Sequence, residues 1–84
     1  MKVKTRKQLM AMYDEVGPFR GGLARVIKGD KEFHIRRDGT AAYRQRFSYV
    51  GSFNRGNPAL ALADNGKPGS FFHIQRNGKR VKNR

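Results

Sequence analysis

The chain states the same pattern twice, and that constrains its fold more than any other feature. Tyr13-Asp14-Glu15-Val16-Gly17-Pro18-Phe19 returns as Phe47-Ser48-Tyr49-Val50-Gly51-Ser52-Phe53, 34 residues on. Phe33-His34-Ile35-Arg36-Arg37-Asp38-Gly39 returns as Phe72-His73-Ile74-Gln75-Arg76-Asn77-Gly78, 39 residues on. The extra residues fall in the looser stretch around Asn57-Pro58 and Asn65–Ser70. A repeat of this length is one supersecondary unit copied in tandem. Residues matched in both copies are therefore expected to be structural. What differs between the copies, or is laid over both, is where function is to be sought.

The local patterns inside each copy read as β-structure. From Gly22 the period is two: Leu23, Arg25 and Ile27 alternate with Ala24, Val26 and Lys28. Gly29-Asp30-Lys31 is a turn, and Phe33 and Ile35 open a second strand. Asp38-Gly39 suits a tight turn with positive φ, and Thr40–Tyr43 is expected to form a third strand. The second copy gives strands at 59–63, 71–75 and 79–81, with Asn77-Gly78 as the matched turn. Between the copies, Phe47, Val50 and Phe53 recur every third residue, which predicts a turn of α- or 3₁₀-helix. Ahead of them, Thr5-x-x-Gln8 has the spacing of a capping box, with Leu9, Met12 and Tyr13 on one side of a helix over 4–13. The expected fold is all-β: tandem three-stranded β-meander repeats with a short N-terminal helix. Residues 1–84 form a single domain, with repeat 1 at about 13–46, repeat 2 at about 47–81 and a basic tail at 82–84.

The ordered set from Tyr13 to Val81 resembles the WG (also called KWG) repeat family. Its repeats place an aromatic, a Val, a Gly-Leu-Ala strand, an aromatic pair, an Ile strand and an Asp-Gly turn in that order. The chain has no tryptophan. Glu32-Phe33 and Phe71-Phe72 stand where the family's aromatic pair sits, and Asn57-Pro58-Ala59-Leu60 replaces the second Gly-Leu-Ala. The resemblance implies a β-rich repeat fold and no particular reaction, because fold does not carry function.

Charge points to the partner. Nineteen Lys and Arg face six Asp and Glu, a net charge of +13. After Asp38 the only acid is Asp64, so residues 39–84 carry a net +8. Self-repulsion on this scale opposes compaction, and a polyanion relieves it. Structured RNA, with a ribosomal setting as one example, is the expected ligand, contacted mainly through phosphate. The candidate contacts are Lys2, Lys4, Arg6, Lys7, Arg36, Arg37, Arg44, Arg46, Arg55, Arg76, Lys79, Arg80, Lys82 and Arg84. Arginines outnumber lysines eleven to eight, and a guanidinium pairs phosphate bidentately. An acidic protein partner is the alternative. A small basic ribonuclease using His73, Arg76 and Lys79 is the third reading.

Other chemistry has little support in the sequence. His34 and His73 occupy matched places, which is what a structural role predicts. Neither they nor any other group has metal-ligand spacing, and no cofactor is expected. Gly66-Lys67 and Gly78-Lys79 lack the hydroxyl residue of a phosphate-binding loop and read as turns. Phe19/Phe53, Phe33/Phe72 and Tyr13/Phe47 are matched and belong to the core. Tyr43, Tyr49 and Phe71 are unmatched, and are the candidates for base stacking. With no cysteine and no apolar run, the chain is expected to be cytoplasmic, with neither a membrane nor a small-molecule substrate as its partner.

Overall fold

A computed structural model of the chain describes residues 3–53, 61–64, 66 and 71–81. The fold is mostly β, with two three-stranded antiparallel sheets and one short helix. Helix α1 (Arg6–Met12) begins as its sequence dictates. The Thr5 hydroxyl accepts from the Gln8 N–H at 3.2 Å, and the Gln8 amide oxygen accepts from the Thr5 N–H at 2.8 Å. Leu9 is the helix's buried residue. A helix of this length gains its stability from such packing rather than from its own hydrogen bonds.

The first sheet holds β1 (Glu15–Arg20), β2 (Leu23–Lys28) and β3 (Lys31–Ile35) in that order. The second holds β4 (Tyr49–Val50), β5 (Ala61–Asp64) and β6 (Phe71–Ile74), again in chain order. Each is thus a meander, but with its strands set one element earlier than the periodicity predicts. Gly17-Pro18 masks β1 in the sequence. There the register slips between Val16 and Phe19, on an edge strand, where a missing N–H is tolerated. Gly21 and Gly22, at φ of 60° and 85°, make the β1–β2 turn.

The expected third strands are single bridges, Ile35 to Ala41 and Ile74 to Arg80. The predicted helical turn near 47–53 is also absent. Phe47 instead exchanges both backbone hydrogen bonds with Glu32 of β3, at 2.8 and 3.1 Å. The chain then crosses to β5, where the Ser48 and Gly51 N–H groups donate to Asp64 and Leu62 carbonyls. The three-residue spacing marks a strand changing sheets. Of the predicted strand at 59–63, residues 59–60 lie outside the described residues, and so does the tail 82–84.

The copies match down to single hydrogen bonds. Gly39 N–H donates to Arg36 O at 2.9 Å, and Gly78 N–H to Gln75 O at 2.8 Å. Asp38 Oδ1 accepts from Thr40 N–H, and Asn77 Oδ1 from Lys79 N–H, each at 3.0 Å. Tyr13 meets Phe33 edge-on at 5.7 Å, and Phe47 meets Phe72 edge-on at 5.9 Å. One core runs through both sheets, including Val16, Val26, Phe33 and Ile35 of the first and Val50, Ala63, Phe72 and Ile74 of the second. The matched aromatics are not equally deep, however. Phe53 is buried, whereas Phe19 is half-buried against the core.

Candidate nucleic-acid interface

Arg36 leaves the end of β3 and Arg76 the end of β6. The seam between the copies brings them to one cleft of about 260 Å³, completed by Leu23, Ala42 and Asn77. Arg36 is held rigidly: its Nη1 donates to Ala41 O at 2.8 Å and Thr40 Oγ1 at 3.2 Å. Arg76 comes up beside Gly22, whose φ of +85° favours glycine; a Cβ there would make only ordinary contact with its terminal nitrogen, at 3.6 Å. Two guanidiniums lining one concave space concentrate positive potential, and an anion bridging them would relieve it. The two are not repeat equivalents, since Gln75 matches Arg36 and Arg37 matches Arg76. Nothing in the sequence pattern pairs them.

Several other predicted contacts are engaged with the core. Arg46 lies over the Phe33 ring at 3.8 Å and Arg80 over the matched Phe72 at 4.5 Å. Arg37 covers Phe19 at 4.8 Å, while Arg76 approaches Phe53 at 5.9 Å. A guanidinium on an aromatic face is attracted by the ring quadrupole and shields the ring from water. Arg46 Nη1 also donates to the carbonyls of Tyr43, Arg44 and Gln45. Arg6 Nη2 donates to Val16 O at 2.6 Å, tying α1 to β1. The Lys4 backbone bonds Arg37 O, and its stem lies along Gly39. Lys7, Arg44 and Lys79 are exposed. Lys2, Arg55, Lys82 and Arg84 lie outside the described residues. Four of the expected phosphate contacts, Arg37, Arg46, Arg76 and Arg80, thus also lie over aromatic rings, a role that the aromatic count could have suggested.

The histidines separate sharply. His73 is exposed, whereas His34 is fully buried. His34 Nε2 lies 2.8 Å from the Gly51 carbonyl, which can only accept, so Nε2 carries the proton. Nδ1 therefore accepts from the Tyr43 hydroxyl at 2.6 Å. Phe53 packs on the ring at 4.5 Å. Burial lowers the His34 pKa to about 4, partly opposed by the Gly51 hydrogen bond, with Arg25 and Arg76 lowering it further. The ring is a neutral strut between the copies.

The stacking candidates also divide. Tyr43 is a correction: it is buried, its hydroxyl is spent on His34, and burial raises its pKa. It holds the place that Leu9 holds in the first copy, 34 residues earlier, and packs beneath Gly78 as Leu9 packs beneath Gly39. A leucine matched by a tyrosine escapes a search by residue type. Tyr49 and Phe71 remain exposed and touch edge-to-face at 6.0 Å.

Among the described residues, no three metal-ligating side chains come together, and no helix is long and apolar enough to cross a membrane. No family model, curated protein or solved structure matches the chain.

Proposed function

We propose that the chain is a small basic protein that binds structured RNA mainly through phosphate, on a scaffold of two WG-like repeats. The observation that carries this reading is the Arg36–Arg76 cleft. Two arginines, one anchored to the Thr40 hydroxyl and the Ala41 and Ala42 carbonyls and one reaching the same cleft from the other copy, suit a phosphodiester. The overall charge of +13 supplies long-range attraction to the same ligand. Phosphate contacts position a protein on folded RNA without reading its sequence. A ribonucleoprotein such as the ribosome, in a cytoplasmic setting, offers that ligand.

The test is a titration of a folded RNA hairpin across salt concentrations. Arg36→Gln combined with Arg76→Gln should weaken binding and flatten the salt dependence by roughly 1.4–1.8 units if each arginine neutralises one phosphate. Thermal melting of the double variant separates lost contacts from lost fold, because Arg36 also braces its turn. Unchanged affinity and slope would defeat the cleft as the seat. Preference for an acidic polypeptide over the hairpin would favour a protein partner. Cleavage of the hairpin that disappears in His73→Gln would make the protein a ribonuclease.

A further inference from the structure

The copies place different chemistry on one face of their sheets. In the first copy a row across the strands reads Glu15, Ile27, Glu32, and the next pair is Arg25 with His34. In the second copy the same places read Tyr49, Asp64, Phe71, then Leu62 with His73. The first face is used internally. Glu32 Oε1 pairs with Arg25 at 3.1 Å and accepts from Val50 N–H at 3.1 Å, while Phe53 covers His34.

The second face is open among the described residues. Phe71 is 55% exposed, Tyr49 39% and Leu62 37%. The two rings meet at 85°, so each fixes the other's orientation. The Arg25 guanidinium, paired with Glu32, lies 6.0 Å from the Tyr49 ring centre, and Asp64, between the two rings in the row, accepts from the Gly66 N–H at 2.7 Å.

We infer that Tyr49 and Phe71 form a stacking platform for unpaired bases of the RNA, a claim that rests on the RNA reading above. Charge complementarity selects this occupant. A nucleotide brings an aromatic face for the rings and a phosphate for a chain of net charge +13, whereas an apolar peptide would answer the rings alone. The bases must be unpaired, because in a duplex their faces are already covered by their neighbours. The target therefore carries a loop, bulge or single-stranded end beside the stem whose phosphates reach the cleft.

The test compares a mixed-sequence twelve-nucleotide RNA strand with an abasic strand of equal length and charge, binding each to the wild type and to Tyr49→Ala/Phe71→Ala. The wild type should prefer the base-bearing strand, and the double variant should lose about 5- to 100-fold in affinity for it, the range for removing one stacked base. Its affinity for the abasic strand and its salt slope should not move. Phe71→Leu, which keeps apolar area without a ring, should lose most of the same preference, and a melting curve verifies that each variant folds. Equal wild-type affinity for the two strands, or an unaffected double variant, overturns the platform and leaves the phosphate reading intact. Failure of the wild type to bind either strand or the hairpin at low salt defeats both. Binding of an acidic peptide that the ring variants alone lose would assign the face to a protein.

Discussion

Glu32 and Phe71 stand at the same place in the two copies, as do His34 and His73, and their surroundings have nothing in common. Glu32 pairs by its backbone with Phe47 and by its carboxylate with Arg25 and Val50. Phe71 is half exposed. His34 is buried with both ring nitrogens bonded, and His73 faces outward. The second copy packs on the first and uses up its outer face. The second copy's own outer face is left open by the described residues, and it is there that charged residues are replaced by rings. Matched positions specify the scaffold. The proposed RNA binding belongs to the unmatched chemistry laid over them.

The comparison breaks most visibly at the turn glycines. Gly39 and Gly78 share a positive φ, but their surroundings differ. A Cβ on Gly78 would sit 2.5 Å from the Tyr43 ring, whereas on Gly39 it would meet the flexible Lys4 stem and a Leu9 methyl at 3.0–3.2 Å. Gly78→Ala should cost about 3–5 kcal/mol, from backbone strain plus overlap with a buried ring, and Gly39→Ala about 1–3 kcal/mol. Denaturant midpoints of the two variants measure the difference. Equal costs would mean that the two turns rest on equivalent supports.

Acid sharpens the contrast between the histidines. Desolvation holds the folded pKa of His34 near 4, below the ordinary value of 6.5. Between those values the unfolded chain binds more protons than the folded one, so stability falls as pH drops through this window and levels off below it. The loss from pH 7 to pH 4 should be on the order of 3 kcal/mol for this group. His34→Gln should be less stable at pH 7 and should lack this slope. His73→Gln should keep it. Unfolding at a series of pH values checks both, and a slope that survives in His34→Gln would assign it elsewhere.

The smallest effect belongs to the joint itself. Glu32→Gln keeps an oxygen for the Val50 N–H but gives up the charge facing Arg25, and should cost about 1 kcal/mol. Phe71→Gln at the matched place should change stability by less than about 0.5 kcal/mol. A large loss from Phe71→Gln would mean that the open face is built into the fold.

What the sequence disclosed was local chemistry. Thr5 and Gln8 cap the helix within three residues, and Asp38-Gly39 and Asn77-Gly78 set their turns without help from the rest of the chain. What it concealed depended on partners far along the chain. β1 hides behind Gly17-Pro18 because an edge strand tolerates them. Thr40–Tyr43 follows the Asp38-Gly39 turn where a third strand is expected, yet only Ala41 bridges, because Tyr43 turns away to become the strut for His34. The basic count pointed to an anionic partner but could not sort cations that roof the core, such as Arg46, from the pair that meet in a cleft. Arg36 and Arg76 belong to different copies at unmatched positions, so only folding brings them together.

Backbone amide NMR shifts during titration with a hairpin RNA carrying an unpaired loop, at low salt, bear most directly on the division between scaffold and binding face. The account predicts the largest changes at Tyr49, Leu62, Phe71 and His73 and around Arg36, Arg76 and Asn77, with the Gly29-Asp30 turn of the first sheet nearly still. Changes spread evenly over all exposed Lys and Arg, or centred on the β2–β3 turn, would contradict it.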